Sequence, residues 1–154
     1  MFRTRRRFLR ASGSLGLIAA LGAAMLRPVR AIAAWNKAAF EAKTAAEAMR
    51  SLGIREPAES GELQIRAPDI AENGAVVPIE ITSNIPGTTS VSVFVEKNPF
   101  PYLGTFDFPE GTLAYVHLRA KLGESTLVRV VAAAGGKYYS ATKEVKVTIG
   151  GCGG

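Results

Sequence analysis

The chain has 154 residues, 47% hydrophobic and 21% charged, with 16 glycines and one cysteine; this points to one domain and excludes disorder, a collagen-like repeat and a disulfide-framed mini-protein. A net charge of +6 and an isoelectric point near 9.8 would suggest a nucleic-acid binder, but seven of the 19 basic residues (Arg3, Arg5, Arg6, Arg7, Arg10, Arg27, Arg30) precede position 34 in a stretch without an acid. Taking those seven away leaves 12 basic residues against 13 acidic ones, so no nucleic-acid surface is expected.

The chain opens with Thr4-Arg5-Arg6-Arg7-Phe8-Leu9-Arg10, followed by an uncharged run from Ala11 to Leu26 that Ser12, Gly13, Ser14, Gly16 and Gly22 dilute. A stable bilayer span needs about 20 predominantly apolar residues, so no stable membrane insertion is expected. Ala31-Ile32-Ala33 supplies a small-x-small cleavage site, which predicts a signal peptide over 1–33 and a mature chain from Ala34. The arginine pair before Phe-Leu and the weakly hydrophobic core resemble a twin-arginine signal; the alternative is an ordinary secretory signal with a more basic start. Twin-arginine export moves folded cargo, which implies a cofactor or a partner acquired beforehand. One His and one Cys are too few for a cofactor cage, so a partner subunit is the expectation.

Between 34 and 55 the apolar residues Trp35, Ala38, Ala42, Ala45, Met49 and Leu52 fall on one helical stripe, with Asn36 as N-cap, Gly53 as stop and Pro57 beyond. The stripe is mostly alanine, so this helix is expected to lean on the main body or a partner. From 60 to 149 the period changes to alternation. Strands are predicted over 62–67, 75–83, 90–97, 102–108, 113–122, 125–134 and 137–149, with turns at Asn73-Gly74, Pro86-Gly87, Asn98-Pro99, Glu110-Gly111, Gly123 and Gly135-Gly136. In the most regular stretches Val77/Ile79/Ile81, Val91/Val93/Val95 and Val145/Val147/Ile149 face in, with Glu80, Ser92, Lys146 and Thr148 out. The fold class expected is mainly β: an immunoglobulin-like sandwich of about seven strands preceded by one helix. Pro78 predicts that its strand lies at an edge or carries a bulge.

Few residues suggest chemistry. His117, the single histidine, shares a strand face with Tyr115 and Arg119 and cannot build a multi-histidine metal site, so it reads as a surface or interface residue. The carboxylates are scattered and no glycine-rich phosphate loop opens a helix, which argues against hydrolase and nucleotide-binding readings. Tyr102, Tyr115, Tyr138 and Tyr139 fill strand positions, and Asn98-Pro99-Phe100-Pro101 reads as a rigid turn.

The run Gly150-Gly151-Cys152-Gly153-Gly154 is different, because it places the chain's one thiol among residues with no side chain to bury. It is expected to be an exposed arm over 150–154. An exported lone thiol invites intermolecular disulfides and over-oxidation, and the flanking glycines offer it no apolar shelter, so a functional thiol is expected. An enzyme nucleophile needs rigid neighbours, and Cys152 with His117 as base on a polyglycine tether would lack them. A covalent carrier needs the opposite, a thin extended leash that presents the thiol to several active sites. The alternative is an exported structural or assembly module in which Cys152 forms an intermolecular disulfide.

The signal, the sandwich, Ala71-Glu72-Asn73-Gly74-Ala75-Val76-Val77-Pro78-Ile79, Val95-Glu96-Lys97-Asn98-Pro99-Phe100-Pro101 and above all Val147-Thr148-Ile149-Gly150-Gly151-Cys152-Gly153-Gly154 resemble the SoxY family, the periplasmic Y subunits of the Sox thiosulfate-oxidising system. The resemblance implies that Cys152 holds a covalent sulfur adduct and that the chain is a carrier, with no cofactor of its own. It further implies a heterodimer with a small immunoglobulin-like Z subunit, with a disulfide through Cys152 as a route to a heterotetramer. The enzymes it implies are a c-type haem enzyme that conjugates thiosulfate to the thiol, a dimanganese hydrolase that releases sulfate and, in some systems, a molybdenum-haem sulfane dehydrogenase.

Overall fold

A computed structural model describes residues 35–148, and those from Asn36 onward belong to one compact unit. The predicted helix is divided into α1 (Lys37–Glu41) and α2 (Ala45–Ser51). Asn36 caps α1, its side chain accepting from the Ala39 amide at 3.1 Å. The helix then breaks because Thr44 starts a second one. Its hydroxyl accepts from the Glu47 amide at 3.2 Å, and the Glu47 carboxylate accepts from the Lys43 amide at 3.1 Å, a close relative of the capping box. At the far end Gly53 takes φ +74°, its amide bonds the Arg50 carbonyl and that of Ile54 bonds the Met49 carbonyl. This is the Schellman arrangement for which glycine is suited.

Nine strands follow: β1 (Ala58–Glu59), β2 (Leu63–Arg66), β3 (Ile70–Ala71), β4 (Val77–Ser83), β5 (Thr88–Val95), β6 (Tyr102–Asp107), β7 (Tyr115–Ala120), β8 (Thr126–Ala134) and β9 (Lys137–Val147). All seven predicted strands are present, and β1 and β3 are additions of two residues each. The larger sheet has the order β1-β9-β8-β5-β6, with β3 also on β9; the smaller is β2-β4-β7. β1 and β3 both run parallel to β9, while β2 between them belongs to the other sheet. The chain therefore switches sheets twice before β4. β8 and β9 are joined by Gly135-Gly136, both at positive φ, as a two-residue primed turn requires.

Between the sheets Val77, Ile79 and Ile81 of β4 meet Val91, Val93, Val95, Val128, Val130 and Val145, all fully buried. The expected alternation is present in β4, while β5 is buried on both faces from Val91 to Val95, Val147 is partly buried and Ile149 lies outside the described residues; each fully buried side chain contributes about 1.5–3 kcal/mol by leaving water. Ser92, expected to face solvent, is instead 5% exposed. The outer face of the larger sheet is covered too: Phe94, Tyr102 and Val131 pack against Ala39, Ala42, Ala45, Ala48 and Ile54. Small alanines let the helices approach this sheet closely, and the break between them turns Ala39, rather than Ala38, inward.

β4 is the central strand of its sheet, not an edge, so the reading of Pro78 is corrected. β2 pairs only as far as Glu80, whereas β7 continues alongside to Val77. Pro78 thus sits beyond the end of β2, where no ladder on that side needs its missing amide hydrogen.

Candidate functional site

β9 leads toward the glycine run, and its last described residues are held from both sides. β8 accompanies β9 only as far as the pair Thr126 and Val145. Beyond that point a single hydroxyl takes over. Ser125 Oγ accepts from the Val147 amide at 2.9 Å and donates to the Val147 carbonyl at 3.4 Å, standing in for a strand residue. On the opposite edge the Lys146 amide bonds the Asp69 carbonyl at 2.9 Å, the Thr148 amide bonds the Ala71 carbonyl at 3.2 Å, and the Thr148 hydroxyl reaches the Glu72 carbonyl at 3.5 Å.

The loops around this exit are tied together. Asn98 donates from its side-chain nitrogen to the Lys121 carbonyl at 2.7 Å and accepts from the Gly123 amide at 3.2 Å. The Asn98-Pro99-Phe100-Pro101 turn is thereby fixed to the β7–β8 connection, and Lys43 lies over the Phe100 ring, 3.8 Å from its centroid. Gly74 donates no side chain because none fits. A Cβ there would run into the Leu122 carbonyl oxygen and come within 2.8 Å of Val147 Cγ1. Its own carbonyl accepts from the Leu122 amide at 2.7 Å, closing the floor beneath Val147.

Charge at the exit is mixed. The Lys143 ammonium bonds the Asp69 carboxylate and, with Lys146, holds it below the ordinary carboxylate range. A shallow groove of about 350 Å³ beside it is lined by Asp69, Ile70, Lys143, Glu144 and Lys146.

The expected site residue Cys152 and its neighbours Gly150, Gly151, Gly153 and Gly154 lie outside the described residues, as do Ile149 and the signal peptide expected over 1–33. His117 sits on the outward face of β7, exposed and in register with Glu80. Its side chain makes no hydrogen bond or ion pair among the described residues, so no carboxylate there orients its ring as a general base would require. Tyr102 is buried, its hydroxyl 2.7 Å from Thr105 Oγ1; Tyr115 is exposed, and Tyr138 and Tyr139 are half-buried. Among the described residues no three His, Cys, Asp or Glu side chains gather to hold a metal, and no helix is long and apolar enough to cross a membrane. Sequence reasoning missed Ser125, read only as the first residue of a strand, and took Gly74 for a turn marker.

A two-sheet sandwich with helices on one outer face, leading from a pinned last strand into a glycine-flanked thiol, defines a mainly β domain of the immunoglobulin-like class. Within that class, residues 48–152 match the family described as sulfur oxidation protein SoxY. The sulfur carrier protein SoxY from Chlorobium limicola f thiosulfatophilum is 42% identical, with a TM-score of 0.60 over 66% of this chain and 92% of that one. The chain belongs to the SoxY family. A superoxide reductase (neelaredoxin) from Ignicoccus hospitalis, 20% identical with a TM-score of 0.51 over 59% of this chain and 83% of that one, shares the fold alone. A comparison with curated proteins finds no match.

Proposed function

We propose that this protein is a periplasmic sulfur carrier that holds thiosulfate-derived sulfur covalently on Cys152 and presents it to successive enzymes. The observation that supports this most is the chain's one thiol, set between Gly150-Gly151 and Gly153-Gly154 in a member of the SoxY family. Glycine flanks make the arm as narrow as a peptide can be, so Gly150, Gly151, Gly153 and Gly154 let the sulfur enter a channel that a branched side chain would block.

In the first step the Cys152 thiol loses its proton and its sulfur bonds to the terminal sulfur of thiosulfate, while two electrons pass to the c-type haem enzyme. Hydrolysis then cleaves the bond to the sulfonate group. Water supplies the fourth oxygen of the released sulfate, two protons are released, and an ionised persulfide stays on Cys152. That second step belongs to the dimanganese hydrolase, and a molybdenum-haem dehydrogenase would oxidise the sulfane sulfur left behind. The chain contributes no cofactor. Its physical contribution is to convert a diffusing anion into a tethered one that several active sites meet at high effective concentration.

In this reading the folded chain is exported through the twin-arginine signal over 1–33, together with its small immunoglobulin-like Z subunit. Cys152→Ser tests the carrier reading. The variant is expected to melt within about 1 °C of the parent, since a thiol-to-hydroxyl exchange between glycines that offer it no side chain to pack against changes stability little, and to bind the same partner subunit. It is expected to lose thiosulfate-dependent turnover with the reconstituted enzymes. Full turnover by Cys152→Ser would contradict the proposal.

A further inference from the structure

We infer that the free edge of β6 is a self-association surface, on which a second copy of this chain adds its own β6 antiparallel about a two-fold axis at Thr105. The inference goes beyond the carrier reading and does not involve Cys152. Free strand edges invite pairing with other chains, and folded proteins guard them by shortness, by lysine or arginine, or by proline. On one side of the larger sheet β1 and β3 have only two residues each. In the smaller sheet β2 ends at Arg66 with Pro68 just beyond, and β7 carries His117 and Arg119. β6 is the exception. It closes the larger sheet on the far side, no described strand pairs with its outer edge, and Tyr102–Asp107 holds no lysine, arginine or proline.

The direction of the backbone groups sets the register. The Phe108 amide bonds the Thr89 carbonyl at 2.8 Å, and β6 pairs with β5 without a break from Asp107 to Gly104. Alternation along an antiparallel pair therefore turns Phe106 and Gly104 toward β5 and leaves the amides and carbonyls of Thr105 and Asp107 facing outward. Placing Thr105 opposite Thr105 of a second copy makes those two a hydrogen-bonded pair, and makes another of Asp107 with Leu103, where the bulge in β6 ends the ladder. Gly104 then lies opposite Phe106 in the close, non-hydrogen-bonded position. A Cβ at Gly104 would meet nothing within 4 Å, while the Phe106 ring, on the same face, is 38% exposed. Each copy's ring covers the other's glycine, and the two-fold makes the contact twice. The strand is uncharged up to Asp107, which falls opposite Leu103, so no like charges face each other.

Pairing from Leu103 to Asp107 covers about 17 Å of strand. A strip of that length falls short of the roughly 1,200 Å² that a stable interface buries, so the contact is weak and forms only at high local concentration. β8 and β5 separate β6 from β9, so the pairing leaves the strand that leads toward the thiol uncovered. Two copies thus associate without a disulfide and without covering the exit of β9.

Sedimentation equilibrium and amide hydrogen exchange on the full chain in reductant test this. A monomer–dimer equilibrium is expected with a Kd of about 0.1–1 mM, the range of a weak contact. The Thr105 amide is expected to gain protection as concentration rises, while those of Gly104 and Phe106, which face β5, keep theirs. Asp107→Pro removes an outward amide that β5 does not use, and Phe106→Lys sets two ammonium groups near the two-fold. Each is expected to weaken the dimer roughly tenfold or more, with the parental fold retained by circular dichroism. If proline disturbs β6, the lysine variant makes the same comparison. The absence of a dimer at about 1 mM would overturn the inference, and so would a dimer that both substitutions leave unaltered. Protection of Thr105 that appears only when the Z subunit is added would overturn it too, and would assign the edge to that partner.

Discussion

Asp69 acts at the exit of β9 through both its backbone and its side chain. Its carbonyl accepts from Lys146 and its carboxylate from Lys143, so one residue fastens β3 to two positions of β9. The hydrogen bond and charge of Lys143, with Lys146 behind, depress its pKa. A depressed carboxylate stabilises the fold above the unfolded-state value, about 3.9, and that contribution is lost as pH falls through the lower folded-state value. An NMR titration of the Asp69 carboxyl carbon is expected to give a midpoint below 3.9, and Asp69→Asn should remove this part of the acid limb of the stability curve; a midpoint at or above the ordinary value would refute the pairing. Single residues also show where sequence reasoning stops. Gly74 was readable as a glycine that mattered, but its reason is the Leu122 carbonyl, 48 positions away in the chain, and no local pattern holds that contact. Ser125 left no local trace, since a serine that imitates a strand partner looks like any serine before a strand.

At the scale of elements, the strands with regular alternation were readable because burial on one face imposes a period of two. β1 and β3 were not, because two residues display no period. The division of the helix was available in principle: Thr44-x-x-Glu47 is a capping signature, but the alanine stripe runs through it and masks the break. Ser92 and Phe94 show the other limit, a strand buried on both faces. There the second face obeys the helices rather than the sandwich, and Phe94 belongs to the cluster beneath them at 0% exposure. Its ring lies 5.5 Å from that of Tyr102, which in turn lies 4.6 Å from that of Phe40. Phe94→Ala is expected to cost about 3–5 kcal/mol in urea denaturation. A loss below about 1 kcal/mol would mean that the helices do not depend on this face.

For the whole molecule, the two ends of the sandwich differ. One closes with the Gly135-Gly136 hairpin and the loop through Glu110-Gly111; at the other, β3, the Asn98 turn and Ser125 surround the strand that leads to Cys152. The chemistry proposed for the candidate site rests on the sequence, where a single thiol among glycines admits few uses, because Cys152 and its glycines lie outside the described residues. The support at the end of β9 was not readable there, because that support comes from segments far apart in the chain. Sulfur is proposed to travel covalently on Cys152. Mass analysis of the peptide containing Cys152, taken from protein incubated with thiosulfate and the conjugating haem enzyme, tests it most directly. The expected result is a sulfur-bearing increment on that peptide which a reductant removes. An unmodified Cys152 peptide while thiosulfate is being consumed would contradict it.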